Sequence, residues 1–124
     1  MIKYWIVLAM VFLLSCSKDK AVKFVENEED NSLELYCDSV TVSFSSQIQP
    51  LFIQSCATSN CHNTSSSSAG YVLETYAQIN SNATILLKSI RHDGASAMPK
   101  FQQKLNDSLI QQFECWISQG KLNN

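Results

Sequence analysis

The sequence predicts an all-α domain of about four short helices, and three observations carry that expectation. Apolar residues recur at helical spacing in several stretches of the 124-residue chain. Strand-like alternation is confined to Val40-Thr41-Val42-Ser43-Phe44, too little for a sheet. Start and stop signals also fall where helices need them: Ser45 or Ser46, Asn106 or Asp107, and Gly120.

The elements follow in order. Ser45 or Ser46 caps a helix in which Ile48, Leu51, Phe52 and Ser55 lie at i, i+3, i+4 and i+7, so only one side is apolar. Pro50 belongs in its first turn, where a missing N–H costs least. That helix runs into Cys56, and residues 64–70 form a Ser-rich loop. A short helix is expected over residues 74–80 and another over 83–91, with Ile85, Leu86 and Ile90 inward. Residues 94–100 are a loop containing Met98-Pro99. The last helix starts at Asn106 or Asp107 and ends at Gly120. On its wheel Leu109, Ile110, Phe113, Trp116 and Ile117 share a sector of about 120°, the width of a face buried against another helix. Cys115 falls on the flank beside Gln111 and Gln112.

Residues 1–15 read as a signal peptide. Lys3 and the amino terminus are positive, and residues 4–14 are an uncharged apolar run. Eleven helical residues cover about 16 Å, roughly half a bilayer's hydrocarbon, so the run is a signal core and not a span. It ends in Leu13-Leu14-Ser15-Cys16, which resembles the bacterial lipoprotein signal. That resemblance implies cleavage before Cys16, acylation of its thiol and a membrane anchor in the cell envelope, facing periplasm or exterior. The alternative is an ordinary secretory signal with an incidental cysteine. Both deliver the chain to an oxidising compartment.

Residues 17–36 carry six acids against three lysines with weak periodicity, so 16–36 reads as a lipidated flexible tether. Residues 37–124 carry five of each sign and form the folded unit. That unit is near the size at which one small core needs help. A formal net charge of −2 lacks the basic stripe nucleic acid demands, and 45% hydrophobic residues are too many for a disordered chain. Hydrolase chemistry has no support either, because no Ser-His-Asp set or carboxylate pair is visible.

The chemistry concentrates in Cys56-Ala57-Thr58-Ser59-Asn60-Cys61-His62. Two thiols followed at once by an imidazole suit covalent haem attachment: thioethers form at two vinyl groups and the adjacent histidine serves as proximal iron ligand. The usual spacing places two residues between the cysteines. Here four intervene, so the spacer must bulge outward while the Cys61-His62 adjacency is kept. A Cys56–Cys61 disulfide is also chemically easy, whereas zinc would want a further ligand and only His92 remains as a histidine. Met98 reads either as a thioether ligand or as a flexible core filler, with His92 as the rival distal ligand.

With these residues in view, the chain resembles the small c-type cytochrome domains of bacterial lipoproteins over residues 37–124. The resemblance rests on Cys37-Asp38, Val42-Ser43-Phe44, Ile48-Gln49-Pro50-Leu51-Phe52 and Cys56…Cys61-His62. It continues through Ala97-Met98-Pro99-Lys100, Trp116-Ile117-Ser118-Gln119-Gly120 and Asn123-Asn124. It implies a cytochrome c-like fold around one covalently bound haem c, with Cys56, Cys61 and His62 holding it and Met98 as distal ligand. It also implies an electron carrier and not an enzyme, working with redox partner proteins of the envelope. His/Met ligation favours ferrous iron relative to two histidines. With those roles assigned, Cys37 and Cys115 are left, and their pairing would close a loop of about 78 residues worth about 4 kcal/mol. Relatives often carry a cysteine early in the last helix, near Ser108 here; Cys115 lies seven residues on, within about 20° on the wheel.

Two other readings stay open. One is a haem-less envelope lipoprotein acting as a binding module with two disulfides; the other is a peroxidase-like enzyme with an open distal site. Lys88, Arg91, Lys100 and Lys104 read as a solvated face or as a docking patch for an acidic redox partner. Trp116 and Phe113 read as core near the porphyrin. The Ser run 65–68 is a surface loop and not a phosphate cradle, since no Gly-rich turn and Lys accompany it.

Overall fold

The computed structural model describes residues 28–94 and 96–124. The expected signal peptide, Cys16 and the expected tether as far as residue 27 lie outside the described residues. Four α-helices make up the fold: α1 (Glu28–Ser39), α2 (Gln49–Ser55), α3 (Tyr76–Arg91) and α4 (Asp107–Ser118), with no strand among the described residues. The all-α expectation holds. Among the described residues no helix is long and apolar enough to cross a membrane.

Helix α4 is the centre of the packing, since α1, α3 and the turn leading into α2 all lie against it. Ile110, Phe113 and Trp116 are buried on one face, as the wheel predicts. The Phe113 and Trp116 rings stack at 5.6 Å. Phe44 meets Trp116 at 5.7 Å, and Phe52 meets Phe113 edge-on at 5.0 Å. Tyr76 brings α3 into the same cluster, 5.2 Å from Phe44. Aromatic rings bury 150–250 Å² each and add about 0.5–1.5 kcal/mol per pair beyond that area. The polar tips are satisfied: Trp116 Nε1–H donates to the Leu122 carbonyl and the Tyr76 hydroxyl to that of Lys121, both at 2.9 Å.

Helix α1 starts inside the stretch that the sequence reads as tether. Its pattern is weak because few residues point inward: Leu33 packs against the core, whereas Leu35 and Tyr36 are exposed. What holds it is covalent. Cys37 and Cys115 form a disulfide with their Cα atoms 4.9 Å apart, closing 78 residues. Cys115 is therefore fully buried and not on an open flank, because α1 covers it.

Residues 40–43 alternate like a strand yet pair with no strand. Their backbone is satisfied by a side chain: the Gln119 amide donates to the Cys37 and Val40 carbonyls and accepts from the Val42 N–H. Ser43, not Ser45 or Ser46, caps the next helix, its hydroxyl accepting from the Ser46 N–H. The first turn, Phe44–Ile48, is a π turn. Pro50, without an N–H, follows in the first turn of α2 and cannot bond the Ser46 carbonyl, so the ladder changes register there. Asn124 closes this turn from the far end of the chain, accepting the Phe44 N–H at 2.8 Å and the Ser45 N–H at 2.9 Å.

The two helices expected over residues 74–80 and 83–91 are one continuous α3. Asn80-Ser81-Asn82 are weak helix formers, but Ser81 and Asn82 bond back to the Ala77 and Gln78 carbonyls, and Ile79 and Ala83 are buried on either side of them. Tertiary burial overrides local preference. Asn106 caps α4 by accepting the Ser108 N–H at 2.9 Å.

Removing the disulfide with Cys37→Ala and Cys115→Ala together is expected to lower the unfolding free energy by about 3–4 kcal/mol, the size set by a loop this long. Urea unfolding of both proteins under non-reducing conditions checks this.

Candidate functional site

Helix α2 delivers Cys56 at its C-terminal end, and the chain then makes a closed excursion. The Cys61 N–H bonds the Thr58 carbonyl, and the His62 N–H returns to the Cys56 carbonyl, both at 3.0 Å. Thr58, Ser59 and Asn60 are exposed, so the four-residue spacer bulges into solvent as its length requires. Asn60 takes the left-handed conformation (φ 66°), which its short polar side chain tolerates. Both thiols are free. They are not joined to each other.

The histidine is oriented by the backbone. His62 Nδ1 lies 3.3 Å from the Tyr71 carbonyl, and the Tyr71 ring meets the imidazole edge-on. A carbonyl only accepts, so this contact is a hydrogen bond when Nδ1 carries the proton, and Nε2 then keeps its lone pair. Metal-bound histidines use the same arrangement to fix tautomer and ring plane. The loop beyond is stapled by Glu74, whose carboxylate accepts the Thr64 N–H and hydroxyl, while its carbonyl accepts from the Gln49 amide. The Thr64 hydrogen bonds hold the Glu74 carboxyl below the usual carboxylate range.

Two adjoining clefts open beside these residues. One, of about 310 Å³, is lined by Cys56, Cys61, His62, Met98 and Phe101 among others. The second, of about 250 Å³, is lined by Cys56, His62, Tyr71, Leu86, Ile90 and Met98 among others. Cys56, His62, Ala69 and Met98 border both. Pockets for small molecules run from about 300 to 1,000 Å³ and are mostly apolar. All four of the haem-site residues predicted from sequence therefore meet at one place, although Met98 lies 36 positions beyond His62. Ile85, expected inward, is partly exposed and lines the second cleft's wall.

A wider, shallow groove of about 600 Å³ lies elsewhere, between Leu33 of α1, the end of α3 and α4. Arg91, His92, Lys104, Asp107 and Glu114 line it, and neither cysteine does. His92, the rival distal ligand, thus borders this groove and neither cleft. Its Nε2 lies 3.1 Å from the Met98 carbonyl, which makes it a donor there and leaves that nitrogen without a lone pair to offer.

The four basic residues do not form one free patch. Arg91 pairs with Glu114, and Lys104 pairs with Asp107 at 3.1 Å. Lys100 lies 5.7 Å over the ring of Phe101, which is almost fully exposed. Phe113 and Trp116 are core, and neither borders a cleft.

Tyr71 and Ser89 are absent from the sequence reading, and Glu74 figures there only as the start of an expected helix. Nothing local marks the first two, because Tyr71 offers its carbonyl to His62 and Ser89 offers its carbonyl to the Met98 N–H at 3.0 Å. Glu74 does leave a trace: it is the one acid between Asp38 and Asp93. Among the described residues no group of three or more His, Cys, Asp or Glu side chains could hold a metal ion. No protein-family model, curated protein or solved structure matches this chain.

Two pH effects follow. Burial above all, and then the neighbouring Cys61, push the Cys56 thiol from 9.0 up to about 12. The fold favours the neutral thiol, so stability is whole below pH 9.0 and erodes as pH climbs from there toward about 12. Cys56→Ala is expected to flatten that alkaline slope in urea titrations run from pH 8 to 11. For Glu74 the sign is opposite: its folded value is depressed, so the Thr64 staple is present above pH 4.5 and is lost as pH falls through the lower folded value. The Thr64 amide shift in NMR is expected to report that transition and to stop titrating in Glu74→Gln.

Proposed function

We propose that this protein is a single-haem c-type cytochrome, an electron carrier of the cell envelope held at a membrane through acylated Cys16. The observation that carries the reading is the meeting of Cys56, Cys61, His62 and Met98 on two clefts that share a border. His62, tied through Nδ1 to the Tyr71 carbonyl, supports it further.

The donor set fits haem c. Cys56 and Cys61 are free thiols on either side of a spacer that loops out of the way, and each can add its sulfur and hydrogen across a vinyl group with no oxidant. A disulfide between them would forbid this. His62 offers Nε2 as a nitrogen ligand and Met98 offers its thioether. When bound, haem c supplies a one-electron ferric–ferrous couple. The chain's own contribution is to hold those ligands and exclude water. Leu73, Leu86 and Ile90 provide the apolar wall, and a dry, apolar setting tunes the potential. The partner in this reading is a redox protein of the envelope, and no bond of a substrate is broken.

The free state of Cys56 and Cys61 weighs against a binding module with two disulfides. The position of Met98 between the clefts weighs against a peroxidase-like enzyme, which needs that side open.

Expression of the full chain together with haem-ligation genes tests the reading. The natively matured protein is expected to stain for haem on a denaturing gel, to gain one macrocycle in intact mass and to show sharp reduced c-type bands. The Cys56→Ala, Cys61→Ala double variant is expected to lose all covalent haem, and Met98→Ala to lose the low-spin spectrum and bind carbon monoxide when reduced. Absence of an added macrocycle in the matured protein overturns the proposal, and a high-spin spectrum in the unaltered chain points to the enzyme instead.

A further inference from the structure

We infer that His92 is a positioning residue that latches the Met98 loop to the end of α3, and is not itself an iron ligand. The consequence for ligation rests on the haem reading above; the latch itself does not.

Met98 is held by both of its backbone groups. Its N–H donates to the Ser89 carbonyl at 3.0 Å, and its carbonyl accepts from His92 Nε2 at 3.1 Å. Ser89 and His92 lie three positions apart at the C-terminal end of α3, so one helix end supplies both contacts. His92 is the C-cap residue in the left-handed conformation (φ 61°), with its own N–H bonded to the Ser89 carbonyl at 3.2 Å. That backbone turn carries the chain away from the helix while the imidazole reaches forward six residues to the loop.

A latch is needed here because packing does not provide one. The residues flanking Met98-Pro99 are exposed, and Phe101 beyond them is 97% exposed. A methionine ligand on such a loop would be displaced readily unless its backbone were held. The wall of the second cleft is also α3, through Leu86, Ser89 and Ile90, so the latch ties Met98 to the element that shapes its cavity. A glycine would adopt the His92 backbone conformation with less strain than histidine does, yet almost all other helix C-cap chemistry would be preserved. The side chain is what the loop requires.

The test compares His92→Gly, which keeps the backbone conformation and removes the donor, with His92→Gln, which restores an amide donor of similar reach. Amide hydrogen exchange of the full chain is read at Met98, with the Ile110 and Trp116 amides as the control for global stability. His92→Gly is expected to speed Met98 exchange roughly five- to tenfold, the size of one net hydrogen bond, with the control amides unchanged and His92→Gln close to the unaltered chain. In the reduced, haem-loaded protein the same variant is expected to bind carbon monoxide roughly tenfold faster, with rescue by His92→Gln. Unchanged Met98 exchange in His92→Gly overturns the latch. Complete loss of the low-spin spectrum in His92→Gly, with Met98→Ala remaining low-spin, also overturns it by making His92 the ligand. If no haem is attached at all, the electron-carrier reading fails, while the exchange comparison still decides the latch.

Discussion

The constraint on which this domain depends is the burial of Trp116 and Phe113 against Phe44 and Phe52. That contact joins the first helix of the cleft-bearing region to the last helix of the chain across more than sixty positions of sequence. It is a contact between large rings, so it is short-ranged and intolerant of sliding. Once α2 is seated on α4, the end of α2 has one place to go, and Cys56 sits there. Helix α3 then packs on the remaining side of α4 and brings its own C-terminus, with Ser89 and His92, toward the same region. The aromatic core and the clefts are therefore separate places. One is closed and apolar, while the other is bordered by loops.

The loops that border the clefts are held by hydrogen bonds more than by packing. The spacer after Cys56 closes through His62, the following Ser-rich segment is pinned by Glu74, and the Met98 loop is tied to α3. Hydrogen bonds can fix a loop without covering it, so these segments hold their positions while Thr58, Ser59, Asn60 and Phe101 stay exposed and the Cys56 thiol is partly buried. The outer end of the domain works differently. There a disulfide, the Gln119 amide and Asn124 bind the chain's two ends together, so that an α1 with few inward apolar residues stays on the fold.

Particular residues show how far the sequence could be read. The face of α4 was legible because Ile110, Phe113 and Trp116 keep helical period over a long run. Cys56, Cys61 and His62 stood out because two thiols and an imidazole fall within seven positions, whereas Met98 was singled out only through the resemblance, since a lone methionine reads equally well as core filler. The break expected between residues 80 and 83 does not exist, since local preference counts for less than burial of Ile79 and Ala83. The helix in α1 was hidden for the opposite reason: its stability comes from a bond to a residue 78 positions away, which no local pattern records. Tyr71 and Ser89 were hidden because their hydrogen bonds to His62 and Met98 come from backbone carbonyls, which every residue has.

By itself the sequence determined which residues can do chemistry and which stripe of the last helix is buried, because both depend on side-chain type and on a period within one element. The Cys37–Cys115 pairing, expected once the other cysteines had roles, is present. Tertiary structure alone decided that Met98 and not His92 borders the clefts shared with Cys56 and His62, and that extended residues 40–43 are satisfied by Gln119 instead of a sheet. Those outcomes depend on distances between elements, set by how large rings pack on α4. Composition and local spacing carry no information about such distances.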